Sequence, residues 1–296
     1  MEHLSCCPIC ADSSLVLVTD RGLDFAGENV VQCVACGVVF LSPRMSEEEA
    51  AVYYASDTYS EAYRGAASPD AAALAQRDRT AAERAQQLAA WGVLEPGRTL
   101  LEVGCGAGNF LAECRKRGVE AAGIEPSVGY AERARGDGFK VAIGRFPDKH
   151  GPRETYSVLA FFHVVEHLHD PVRTLQAARA RLAPGGMLVV EVPDLDRALG
   201  WRWSERYFHR PHLFDFSRSS LLFALWRAGF RPHAMTYSPR RPHHLLVCAV
   251  LEETSRQRPD AAASLRTLRR LRRWIVISRI TRPTFLRLLY QRIARP

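Results

Sequence analysis

Three groups of side chains in this chain have types and spacings suited to chemistry. The first is Gly104, Gly106 and Gly108, separated by Cys105 and Ala107, with Glu102 just before them and Glu125 about twenty residues on. Glycine permits left-handed backbone angles and lets a ligand approach the main chain without meeting a Cβ. A carboxylate such as Glu125 accepts two hydrogen bonds side by side. The second group is Cys7, Cys10, Cys33 and Cys36, two C-x-x-C pairs. Each pair sets two thiolates on one tight turn, and two turns close a tetrahedron around zinc. Four thiolates make a closed, structural site. Cys6 is a spare beside Cys7. The third group is histidine-rich: His163, Glu166, His167 and His169 in one run, then His209 and His212. Histidine titrates near neutral pH and serves as a general base.

The elements that must position these groups follow from the pattern. Leu100-Leu101-Glu102-Val103 reads as a buried parallel strand, the glycines as a turn, and the segment from Asn109 to Arg117 as a helix. Strand, glycine turn and helix form the first half of a nucleotide-binding βαβ unit. Further strands are predicted at Ala121 to Ile124, Lys140 to Ile143, Tyr156 to Phe162, Met187 to Val192, Met235 to Tyr237 and Leu245 to Val250. Ala183-Pro184-Gly185-Gly186 is expected to be a turn. Short strands at Leu15 to Thr19, Val30 to Gln32 and Val38 to Leu41 would frame the cysteines. Ser46 caps a short helix, and Ser68-Pro69-Asp70 starts an Ala-rich helix reaching about Trp91. Arg77, Arg79 and Arg84 on it read as a solvated face.

The glycines stand at 104, 106 and 108, with Asn109 where a dinucleotide fingerprint places its third glycine. This stretch resembles motif I of class I S-adenosylmethionine-dependent methyltransferases, an acidic residue, an apolar one, then G-x-G-x-G. Glu125, closing the next strand, resembles the acidic residue that binds the ribose hydroxyls in that family. His163-Val164-Val165-Glu166-His167-Leu168-His169-Asp170-Pro171 is similar to the HVLEH-x-x-DP run of a group that includes quinone and sugar methyltransferases. The resemblance implies a Rossmann-like α/β fold with a seven-stranded sheet. It implies S-adenosylmethionine held by Glu102, Gly104, Cys105, Gly106, Gly108, Glu125, Phe146 and His163. It also implies an acceptor base among His209, His212 and His163. Two positions depart from the pattern: Arg145 stands where an acidic residue commonly follows the glycine, and Ser157 where an Asp is frequent.

The implied organisation is a zinc-ribbon-like module at 1–45, a helical linker at 46–95, a methyltransferase domain at 96–250 and a basic helical tail at 251–296. It resembles zinc-module methyltransferases of bacterial polysaccharide and natural-product pathways over about residues 6 to 250. O-methylation of a sugar, glycolipid or natural product is the expected activity. Deoxysugar C-methyltransferases carry a further large carboxyl-terminal domain. An RNA methyltransferase guided by the zinc module and tail is an alternative. Against it, His163-Val164-Val165-Glu166 stands where base-amino methylation uses Asn/Asp-Pro-Pro-Tyr. A cofactor-binding scaffold without turnover is another alternative, kept by Arg145 and Ser157.

The 296 residues are 47% hydrophobic, which supports a core; the first ten residues do not read as a signal peptide, and no run approaches the length of a membrane span, so neither is expected. A cytoplasmic protein is expected, where eight cysteines argue for metal or free thiols. Net charge is +8, yet twelve arginines against Glu252, Glu253 and Asp260 give the stretch from 251 onward +9 by itself. Its apolar–basic spacing over 265–293 fits an anionic membrane surface, nucleic acid, or packing on the core or a second subunit. Tyr53, Tyr54, Tyr59 and Tyr63 suit either a domain junction or a cleft lining. The aromatics and cations of 194–218 (Trp201, Arg202, Trp203, Arg206, Tyr207, Phe208, Arg210, Phe214, Phe216) suit a lid over a ring or sugar.

Overall fold

The computed structural model describes residues 1–55, 71–149, 151–198 and 207–252. The tail, Tyr59, Tyr63, Trp201, Trp203, Arg202 and Arg206 lie outside the described residues.

The main sheet has seven strands. β4 (Thr99–Val103), β5 (Glu120–Glu125), β6 (Lys140–Ile143), β7 (Tyr156–Phe162) and β8 (Leu182–Pro193) are parallel; β10 (Phe230–Tyr237) and β11 (His244–Leu251) complete it in the order β10-β11-β8-β7-β4-β5-β6. β11 runs antiparallel to both neighbours, inserting between β8 and β10. The parallel strands are nearly all apolar because helices cover both faces. The predicted turn at 183–186 is instead part of β8; the register with β7 jumps from Tyr156↔Leu182 to Val158↔Met187, so these residues form an irregularity inside the strand.

A second sheet holds β1 (Leu15–Thr19), β2 (Val30–Cys33), β3 (Val39–Leu41) and β9 (Phe214–Asp215), all antiparallel. β9 comes from the far side of the main sheet in sequence. The segment before it is tied to the same sheet: Leu23 N–H donates to the Phe208 carbonyl at 2.7 Å, Arg210 Nε to Glu28 at 2.6 Å and Leu41 N–H to Leu213 at 3.0 Å. Phe208, Phe214 and Phe216 are fully buried, with Phe214 and Phe216 stacked 5.7 Å apart. These aromatics therefore pack the junction between the sheets; they do not form the expected lid.

The helices are α1 (Glu47–Ala55), α2 (Ala71–Ala90), α3 (Asn109–Lys116), α4 (Val128–Gly136), α5 (Pro171–Ala180), α6 (Leu195–Ala198) and α7 (Arg218–Arg227). Ser46 and Glu49 cap α1 reciprocally. Asp170 caps α5 with Pro171 at its first position, and Ser217 with Ser220 form a capping box on α7. No helix among the described residues is long and apolar enough to cross a membrane.

Candidate functional site

Parallel strands present their carboxyl ends to a ligand crevice. A cleft of about 760 Å³ opens there, lined by α2, the glycine turn, the end of β5 and the loops after β6 and β7. Gly104, Gly106 and Gly108 have φ of 77°, 56° and 82°, the left-handed region that favours glycine. A Cβ on Gly104 would lie 2.7 Å from a Val164 methyl, and one on Gly108 would lie 3.1 Å from Ala134 and Phe139. The turn thus needs glycine for its angles and for its close approach to neighbouring loops.

Glu125 organises this turn. Its Oε2 accepts the Gly106 N–H at 2.9 Å and its Oε1 the Ser127 N–H at 3.0 Å. Each carboxylate oxygen has a second lone pair. Glu102, at 4% exposure, leaves Oε2 without a hydrogen-bond partner among the described residues. Burial drives its carboxyl up to about 8, against the pull of Arg84 and with the push of Glu125. At neutral pH it is mostly a neutral acid facing the cleft. Cys105 is buried in the turn, and Asn109 donates to Asp78 of α2 at 2.7 Å. Phe146 lines the cleft, packed edge-on against Phe161. Arg145 also lines it and donates to the Ala50 carbonyl at 2.9 Å, tying α1 to the rim. Ser157 pairs with Thr99 across β4 and β7, a structural role at the far end of these strands.

The three arginines of α2 do not form one solvated face. Arg77 lies 4.9 Å over the Tyr130 ring, and Arg84 lies 4.4 Å over the Phe162 ring; of the three arginines, Arg79 is exposed. Arg84 makes two bonds to Glu191, at 2.9 and 2.8 Å. Glu191 Oε1 also meets His163 Nε2 at 3.0 Å and His244 Nδ1 at 3.5 Å, and His163 Nδ1 meets Glu166 Oε1 at 3.1 Å. Burial opposes charge on His163, but its bonds to Glu166 and Glu191 outweigh burial and raise it to about 9. Burial likewise opposes charge on Glu191, and Arg84, His163 and His244 overcome it, holding the carboxylate well below its usual range. Burial pushes His244 down to about 4. The cluster is therefore two cations, Arg84 and His163, against two carboxylates, Glu166 and Glu191. His163 carries a proton at neutral pH and sits at φ 56°, a strained angle for a residue with a side chain.

His209 and His212 do not line the cleft; His167 and His169 do. His209 and His212 rings lie 3.9 Å apart, and His212 lies 4.8 Å from His167. Burial and the nearby His167 push His209 down to about 4, and burial with the surrounding histidines holds His212 well below the usual range. Both are neutral imidazoles. His169 donates to the Met45 carbonyl at 2.9 Å.

Glu191 and His244 were not singled out from sequence, and Arg84 was read there as part of a solvated face. A lone carboxylate in the apolar run Val189-Val190-Glu191-Val192 was the available signal, because a charge in a buried strand requires partners. Arg84 carries no such mark.

The four cysteines converge. Cys7 and Cys36 sulfurs lie 3.6 Å apart and Cys10 and Cys33 3.5 Å apart. That is far beyond a disulfide bond, and tetrahedral zinc with Zn–S of about 2.3 Å sets its sulfurs roughly 3.8 Å apart. Hydrogen bonds from Cys36 and Cys7 hold the Cys33 thiol far below its usual range. The bond to Cys33 pushes Cys7 up, and the bonds to Cys33 and Cys7 do the same to Cys36. A bound dication would let all four sulfurs ionise together.

The methyltransferase-domain family model matches residues 73–234. The chain is 29% identical over 99 residues to a ubiquinone biosynthesis O-methyltransferase of Bradyrhizobium sp. (strain ORS 278), covering 32% of this chain and 39% of that protein. It is 28% identical over 152 residues to a tRNA U34 carboxymethyltransferase of Idiomarina loihiensis, covering 46% of each. These matches span less than half of either relative's length. In structure it is similar to Burkholderia thailandensis 1,6-didemethyltoxoflavin-N1-methyltransferase, solved with its acceptor and S-adenosylhomocysteine. The TM-score is 0.56 at 18% identity, over 79% of this chain and all of that one, a likeness of fold. The family match takes in the glycine turn, Glu125, the His163–Asp170 run and most of the seven-stranded sheet, more than half of the chain, and this protein belongs to the methyltransferase-domain family.

Proposed function

We propose that this protein transfers the methyl group of S-adenosylmethionine to an oxygen of a small-molecule acceptor, of the sugar, glycolipid or natural-product class. The observation that carries this reading is the cleft, where a left-handed glycine turn braced by Glu125 meets the Glu102 oxygen that has no partner among the described residues. A buried carboxyl oxygen left bare at the mouth of a glycine turn is what a tightly held polar ligand would satisfy. The main chain from Gly104 to Gly108, with Glu102, Glu125 and Phe146, would hold the cofactor. When bound, S-adenosylmethionine supplies an electrophilic methyl group on a sulfonium.

His163 acts as a positioning residue. Its proton is committed to Glu166 and Glu191, so it is a poor base at neutral pH. We place loss of the acceptor's proton at the His167 end of the cleft, backed by His212 and His209. Residues 1–45 are read as a zinc-holding unit, with Cys7, Cys10, Cys33 and Cys36 as ligands. With four thiolates its role is structural.

Labelled-methyl S-adenosylmethionine, incubated with the protein and either small-molecule and lipid extracts or bulk RNA, tests the reading. Label in the extractable small molecules supports it. Label in RNA would overturn it in favour of the RNA reading, which the similarity to a tRNA-modifying relative supports. No label anywhere, with cofactor bound, would leave the scaffold reading standing.

A further inference from the structure

We infer that Glu166, His167 and His212 form a second metal site, for one divalent transition-metal ion, at the end of the cleft and separate from the four-cysteine cluster. One ligand atom from each of these three residues lies within 4.8 Å of the other two. Glu166 and His167 stand on the 3₁₀ turn Val165–His167, and His212 on the segment that leads into β9, which packs against that turn.

The carboxylate is the strongest observation. Glu166 is 1% exposed, and its Oε1 is used by His163, but Oε2 has no hydrogen-bond partner among the described residues. Buried carboxylate oxygens are ordinarily satisfied, and leaving one bare is costly. Beside it Asp215, 3% exposed, leaves both oxygens without a partner among the described residues. Burial and the nearby Glu166 hold the Asp215 carboxyl well above its usual range, so Glu166 is the anionic member of the pair; His163 uses its Oε1, and Oε2 is the oxygen left to take a cation.

The imidazoles are arranged as ligands require. His167 Nδ1 donates to the Pro211 carbonyl at 2.7 Å. That bond fixes the ring proton on Nδ1 and puts the lone pair on Nε2, the usual support of a metal-bound histidine. Two nitrogens and one carboxylate oxygen suit zinc, iron(II), cobalt(II) or nickel(II), and disfavour calcium and magnesium, which prefer oxygen. Metal–ligand bonds of about 2.0–2.2 Å ask the three atoms to draw in modestly. The neighbouring trio His163, Glu191 and His244 is a poorer candidate, because Arg84 and His163 already occupy Glu191.

Three protein ligands leave a coordination position open, as in catalytic rather than structural sites. His167 lines the cleft. Resting on the methyl-transfer reading above, an acceptor hydroxyl bound at that open position would ionise near neutral pH. Its O–H bond breaks, the electron pair stays on the oxygen, and the proton passes to bulk water.

The test uses the full-length protein with zinc in the cysteine cluster, stripped of weakly held metal and titrated with cobalt(II). One saturable equivalent is expected, with ligand-field absorption and no intense thiolate-to-cobalt band. Its affinity should fall at least tenfold in Glu166→Gln and in His212→Gln. No thiolate-free equivalent in the wild type, or equal affinity in both folded variants, overturns the site. If neither variant folds, the wild-type titration decides alone. S-adenosylhomocysteine binding on the same wild-type sample separates the two levels. Cofactor binding without cobalt binding overturns the metal site alone, and cobalt binding without cofactor binding overturns the methyl-transfer reading while the metal site stands.

Discussion

Glu191→Gln is the perturbation that bears most directly on the charge cluster behind the cleft. In the wild type His163 is raised from 6.5 to about 9. A group raised on folding stabilises fully below its unfolded pKa, and that contribution disappears as pH climbs through the folded value. Between pH 6.5 and 9.5 the linkage removes about 3 kcal/mol. The amide of Glu191→Gln would keep the shape and lose the charge, leaving Glu166 as the remaining carboxylate on His163. With one of two carboxylates gone, His163 should titrate at least one unit lower, and about half of the pH-dependent loss should vanish, roughly 1.5 kcal/mol. The variant should also be less stable by about 3–5 kcal/mol at pH 6.5, because Arg84 is left buried without its bidentate partner. The assays are urea unfolding at several pH values and an NMR titration of the His163 ring. Comparing the two proteins cancels thiol ionisation in the unfolded chain. A His163 pKa near 6.5 in the wild type, or one unchanged in the variant, would refute the reasoning.

Gly104→Ala, at φ 77° and 2.7 Å from Val164, should abolish S-adenosylhomocysteine binding in a protein still folded by circular dichroism. Cys33→Ser should lose about one zinc per chain by elemental analysis and lower the unfolding temperature; a metal-free, fully folded wild type would contradict the zinc assignment. Phe214→Ala, at a fully buried ring between Phe40 and Phe216, should cost about 3–5 kcal/mol in denaturant unfolding. A lid residue would instead change acceptor affinity with little loss of stability.

What is local in sequence was legible. The strand–glycine–helix unit, β6 and β7 stand where their apolar runs and bounding glycines put them, since turn angles and strand burial are written into neighbouring residues. The convergence of two C-x-x-C turns was readable for the same reason. What depends on distant partners was not. Arg84 and Glu191 are 107 residues apart, and nothing in an Ala-rich helix marks which arginine turns inward. The aromatics of 207–216 were misread because burial in a core and burial under a ligand select the same side chains. A two-residue strand such as β9 has too few residues to show alternation, and it forms because β3 offers an edge. His163 reads as a base from its type alone, and only the two carboxylates around it fix its proton.

Calorimetry with S-adenosylhomocysteine on the wild type and on Glu125→Gln, with NAD as control, tests the central claim most directly. Micromolar binding by the wild type, absent with NAD and lost or much weakened in the variant, is the predicted result. A folded wild type that binds no S-adenosylhomocysteine, or that prefers NAD, would contradict it.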